Sequence, residues 1–155
     1  MAADGEQDAM KDVAQILKSK LDQTVYTVWP SASVFDAVKL MTQKNLGALL
    51  VLDGAEFIGI ISERDCARKM VLADRSSKET PVRDIMSSPV QYVSPSHTNE
   101  ECMALMTEKR LRHLPVMDNG KLIGLVSIGD LVKDIISEQS FIIQQLEHYI
   151  AGVKG

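Results

Sequence analysis

Gly59-Ile60-Ile61-Ser62-Glu63-Arg64-Asp65 returns 65 residues later as Gly124-Leu125-Val126-Ser127-Ile128-Gly129-Asp130. In both copies a glycine opens an apolar run, and the run ends in a hydroxyl followed three residues later by a carboxylate. Such a serine caps the start of a helix, so the stretch reads as a buried strand handing over to a helix. Working outward, residues 28–71 align with residues 93–136 without a gap, and 15 of the 44 pairs are identical. The matches include Pro30 with Pro95, Leu40-Met41-Thr42 with Leu105-Met106-Thr107, and Asp53 with Asp118. Two copies are too few for a stacked array, in which three or more units share a core, so the chain reads as a pseudo-symmetric pair with equivalent clefts about a two-fold axis.

Each copy opens on a β-branched and aromatic run, Val25-Tyr26-Thr27-Val28 and Val90-Gln91-Tyr92-Val93. Ser33-x-x-Asp36 and Thr98-x-x-Glu101 then predict helices from about Val34 and Asn99. Two apolar strands follow, Ala48 to Leu52 with Phe57 to Ile61, and Leu114 to Met117 with Leu122 to Val126. Asp53-Gly54 and Asn119-Gly120 supply the positive φ that tight hairpins need, so these strands pair antiparallel. Closing helices are predicted from Glu63 to Leu72 and from Ile128 onward. The unit is β-α-β-β-α, an α/β (α+β) fold written twice. The second closing helix carries Leu131, Ile135, Ile142, Leu146, Tyr149 and Ile150 at helical spacing, with Gly152 as its terminator, so it runs on for five or six turns. Its surplus apolar face folds back on its own domain or packs against another chain. The expected boundaries are a polar N-terminal segment at 1–15, the first repeat at 16–75, a linker at 76–84, the second repeat at 85–140 and a C-terminal helix extension at 141–155.

The 155 residues are 45% hydrophobic and 25% charged, an ordinary globular balance that can bury a core. A net charge of −4 argues against a nucleic-acid partner. No apolar run reaches the ~20 residues of a membrane span, and the acidic start is neither a secretory signal nor a transit peptide. Cys66 and Cys102 match no metal spacing and read as small apolar residues on helix faces, with a redox-sensing thiol as the alternative. No nucleophile elbow or phosphate-binding glycine loop is present, so the expectation is no enzyme.

The carboxylates at the helix starts are the candidate chemistry. Asp65 and Asp130 can accept hydrogen bonds from vicinal hydroxyls such as those of a ribose, while Ser62, Ser127 and the free N–H groups suit a phosphate. The same residues also make plain capping boxes, and both readings stand on the residues alone. Arg112 and His113 precede the second repeat's middle strand where the first has Gly47 and Ala48, and Arg64 stands beside Asp65 where the second repeat has Gly129.

The whole pattern resembles the CBS domain pair, or Bateman module. The resemblance rests on the apolar-Gly-apolar-apolar-Ser-x-x-Asp segments, the Leu114-Pro115-Val116 strand and the Asp-Gly turns, over about residues 16–140. It implies two repeats associated through their sheets, with AMP, ATP, S-adenosylmethionine or NAD in the clefts. The implied ligand-binding set is Ser62, Arg64, Asp65, Arg112, His113, Pro115, Ser127 and Asp130, with Asp65 and Asp130 on the ribose. The implied function is a non-catalytic regulator that pairs into a homodimer, and a ligand-free dimeric scaffold or protein-interaction module is the alternative. Within the family the chain is similar to the plant single-pair proteins of the mitochondrial branch. That likeness implies thioredoxin as a partner and a mitochondrial location, with the transit peptide outside these residues; the cytoplasm is the alternative.

Overall fold

Capping chemistry sets the helix starts. Asp12, Ser33, Ser62 and Thr98 each accept from the backbone N–H three residues on, and the helices they open are α1 (Val13–Ser19), α2 (Val34–Lys44), α3 (Glu63–Ala73) and α4 (Asn99–Lys109). A fifth, α5, spans Ile128–Lys154. The computed structural model describes residues 11–20, 23–88 and 90–154. The strands are β1 (Thr27–Val28), β2 (Ala48–Asp53), β3 (Glu56–Ser62), β4 (His113–Asp118) and β5 (Lys121–Ser127).

The chain divides into two units, Thr24–Gln91 and the N-terminal stretch to Gln23 with Tyr92 onward. In the first, β2 pairs antiparallel with β3 and parallel with β1. In the second, β4 pairs antiparallel with β5. Both hairpins slip register at the same place: Ile58 and Ile123 are skipped between paired neighbours, a bulge that the duplication copied. Gly54 has φ +64, while Asn119 and Gly120 both have positive φ, as two-residue hairpin loops require.

The strand expected at Val90–Val93 shrinks to one bridge, Val93 with Val116. The reason is chemical. In the first unit Leu50 N–H donates to the Tyr26 carbonyl at 3.3 Å, and the residue at the place of Leu50 is Pro115, which has no N–H to give.

The core of the first unit gathers Val34, Ala37, Met41, Leu49, Val51 and Ile61 with Val82 and Ile85. Val82 and Ile85 come from the stretch expected as linker, where Val82–Asp84 forms a 3-10 turn. The second unit has a counterpart that the sequence reading did not foresee. Helix α1 puts Val13 and Ile16 into a core with Val93, Cys102, Leu114 and Val126. Its first N–H groups, from Val13 and Ala14, donate to the carbonyls of His97 and Pro95 at 2.8 and 3.0 Å. Residues 1–10 of the expected N-terminal polar segment lie outside the described residues. Each repeat is thus completed by the segment that precedes the other repeat in the chain. At the C-terminus, Gly152 does not stop α5, which continues to Lys154.

Candidate functional site

In the first unit β3 delivers Ser62 to the start of α3. Its hydroxyl accepts from Asp65 N–H at 3.0 Å. The Asp65 carboxylate does not return to the cap: Oδ2 accepts from Ser87 Oγ at 3.1 Å, and Oδ1 lies 3.8 Å from Lys69 Nζ, one turn along the helix. Lys69 also donates to the Ile85 carbonyl at 2.8 Å. Ser87 exchanges two backbone hydrogen bonds with Ile60, and so runs along the outer edge of β3. Gly59 permits that approach, because a Cβ there would sit 2.6 Å from Met86 Sδ and 3.1 Å from the Ser87 carbonyl. Arg64 is exposed on the first turn of α3 and makes no ion pair among the described residues.

The second unit repeats the backbone and changes the side-chain pairing. Ser127 Oγ accepts from Asp130 N–H at 3.1 Å, and Asp130 Oδ2 accepts from Ser127 N–H at 2.9 Å, a reciprocal capping box. Lys20 Nζ lies 3.0 Å from the same Oδ2 and donates to the Leu125 carbonyl at 2.8 Å. The two side chains are 27% and 17% exposed, so this ion pair is partly shielded from solvent. His113 stands opposite Ser127 in the β4–β5 ladder. Burial pushes its imidazole below the ordinary histidine range, Asp130 pulls it back up, and Lys20 and Arg112 push it further down. The ring is neutral near pH 7 and can donate one hydrogen bond. Arg112 is exposed, and its carbonyl accepts from Ile128 N–H at 2.9 Å. Pro115 is buried in β4.

The two Ser-x-x-Asp segments therefore sit where the sequence put them, at strand-to-helix corners, with Arg64 beside one and Arg112 and His113 beside the other. Three polar neighbours went unread. Lys69 was legible, since i and i+4 share a helix face. Lys20 and Ser87 were not, because they arrive from segments outside the duplicated motif. Both cysteine thiols are pushed up to about 11, by burial first and by neighbouring carboxylates second. At pH 7 they are overwhelmingly protonated, which leaves little thiolate for redox chemistry.

These paired corners, bulged hairpins and crossed lead segments define a class. The CBS domain family model matches residues 10–72 and 82–137, and the chain belongs to that family. It is 40% identical over 148 residues to the CBS domain-containing protein CBSX3, mitochondrial, of Arabidopsis thaliana, covering 90% of this chain and 72% of that one. A solved CBS-domain protein from Burkholderia ambifaria shares 60% identity with a TM-score of 0.81, covering 83% of this chain and 96% of that one. A hexameric CBS-CP12 protein from bloom-forming cyanobacteria superposes with a TM-score of 0.72 at 27% identity, covering 94% and 85%. Proteins built on a CBS pair are typically regulatory and non-catalytic. Among the described residues no helix is long and apolar enough to cross a membrane.

Proposed function

We propose that the chain is a regulatory module that binds an adenosine-containing ligand of the AMP/ATP class and changes its affinity for a protein partner accordingly. The observation that carries this reading is the pair of partly buried carboxylates, Asp65 and Asp130, each at a helix start beside a serine hydroxyl. A vicinal diol needs two acceptor positions, and a helix N-terminus with a nearby cation suits phosphate. Asp65 and Asp130 take the ribose. Ser62 and Arg64 serve the phosphates at one corner, and Ser127, Arg112 and His113 serve them at the other, with Pro115 among the contacts. S-adenosylmethionine or NAD would use the same carboxylates.

Binding can regulate only if the ligand prefers one arrangement of the chain over another. Likeness to the mitochondrial plant branch favours a thioredoxin as the regulated partner and the mitochondrion as the place, and the name of the Arabidopsis relative supports the place alone, by analogy. Assembly as a homodimer follows the family, and the hexameric cyanobacterial relative supports self-association. A ligand-free dimeric scaffold is the second reading, favoured by the exposed apolar face of α5. Calorimetric titration of the full chain with AMP, ATP, S-adenosylmethionine and NADH separates the two. The ligand reading expects saturable binding of at least one; no heat from any of the four would leave the scaffold.

A further inference from the structure

From Gln139 through Ala151 every residue of α5 is exposed, so none of the described residues covers these turns. Those turns are not polar. Ile136, Ile143 and Ile150 recur at a strict interval of seven, as do Ile128, Ile135, Ile142 and Tyr149, and between these columns run Val132, Gln139 and Leu146. In heptad terms the three columns occupy a, d and e, an apolar stripe about 100° wide. A seven-residue period, rather than 3.6 alone, is the mark of helices that wind around one another. A helix of three or four turns is marginal in water without packing, so this stripe needs a cover.

The width of the stripe says what covers it. A two-stranded coil buries a and d and leaves e wet, whereas a helix facing the core of a bundle is apolar at a, d and e. Here e is isoleucine three times over. The second and third of these, Ile143 and Ile150, are 55% and 53% exposed. Leu146 at a and Ile142 at d also match the residue choice that shifts coiled coils beyond two strands. Eight exposed apolar side chains on the stripe leave on the order of 800 Å² open, close to the ~800 Å² per partner of a standard interface and above the patch a monomer usually shows. Phe141 falls on the opposite side and takes no part. We infer that α5 is an assembly element whose stripe packs on the α5 helices of other copies of this chain, in a bundle of more than two helices.

This deepens the self-association proposed above, and the two are tested apart. Sedimentation velocity at tens of micromolar, without nucleotide, compares the full chain with a truncation after Ser140 and with the Ile143→Glu/Ile150→Glu variant. Those positions are solvent-facing, and far-UV dichroism checks that all three stay folded. The bundle predicts a full-length species larger than a dimer, and a drop to dimer or monomer in both variants. A full-length monomer or dimer, or an unchanged mass in either variant, overturns it. A monomeric truncation beside a larger full-length species refutes only the homodimer built on the repeats.

Discussion

Asp65 and Asp130 stand at the same turn of the same duplicated motif, yet their carboxylates do different work. Asp130 closes its own capping box and holds Lys20, with both contacts on Oδ2. Asp65 leaves its cap half made and turns to Ser87 and, more distantly, Lys69. The duplication conserved the backbone corner and let the surroundings diverge. A motif match therefore locates a carboxylate without saying how much of it is free for a ligand: an incoming diol would meet the Ser87 hydrogen bond and a distant lysine at Asp65, and a short lysine contact at Asp130.

The contrast between the units can be pressed hardest at the glycines. Gly59→Val should destabilise by about 1–3 kcal/mol through overpacking, because the new Cβ meets the Ser87 carbonyl as well as Met86. At Gly124 the obstacle is the end of the Leu17 side chain, which can swing away, so the same change should cost less. Urea unfolding of both variants checks the order, and a loss at Gly124 as large as that at Gly59 would mean that Leu17 does not swing away.

A comparable difference lies at Asn99 and Asp134. Asn99 Nδ2 donates to Asp134 Oδ2 at 2.9 Å and to the Leu131 carbonyl at 3.0 Å, and Lys11 lies 3.4 Å from the other oxygen of Asp134. The first unit has Val34 and Lys69 at the equivalent positions. Asp134→Ala should cost about 1–3 kcal/mol, for it strips a buried donor of its partner. Lys69→Ala should cost no more than about 1 kcal/mol, as exposed ion pairs do. Thermal melts of the two variants make the comparison directly.

Smaller still is the effect at the caps themselves. Asp130→Ala loses a reciprocal cap, about 0.5–2 kcal/mol. Asp65→Ala removes no cap hydrogen bond from the side chain and should fall below that range. A larger loss at Asp65 would show that its bond to Ser87 matters more than capping.

The smallest effect is pH-dependent and confined to the second unit. His113 is held neutral by burial, so its folded pKa lies below the ordinary 6.5. Protons then bind the unfolded chain first. Any contribution from His113 is constant above pH 6.5 and turns unfavourable as pH falls from there through the depressed value. His113→Gln should flatten the pH slope of the melting temperature across that window and leave the slope above it unaltered. An identical pH slope in the variant would assign the dependence to other groups.

Much of this was legible in the sequence. Ser33, Ser62 and Thr98 announced their helices, and the hairpin glycines announced both turns, because caps and turns are local chemistry. Helix α1 was missed although Asp12 and Gln15 form a capping box, since the contacts that hold it lie at Pro95 and His97, far along the chain. The loss of the second edge strand was readable only by asking which donor Pro115 lacked. At the candidate site the carboxylates came from the motif, while Lys20 and Ser87 came from topology. No spacing rule links Lys20 to Asp130 across 110 residues of sequence.

The central claim is that Asp65 and Asp130 hold the ribose of an adenosyl ligand, and calorimetric titration of AMP and ATP into the Asp65→Ala/Asp130→Ala double variant tests it most directly. With the fold verified by circular dichroism, the account predicts saturable binding to the unaltered chain and none to the double variant. Nucleotide affinity unchanged in the folded double variant would contradict it.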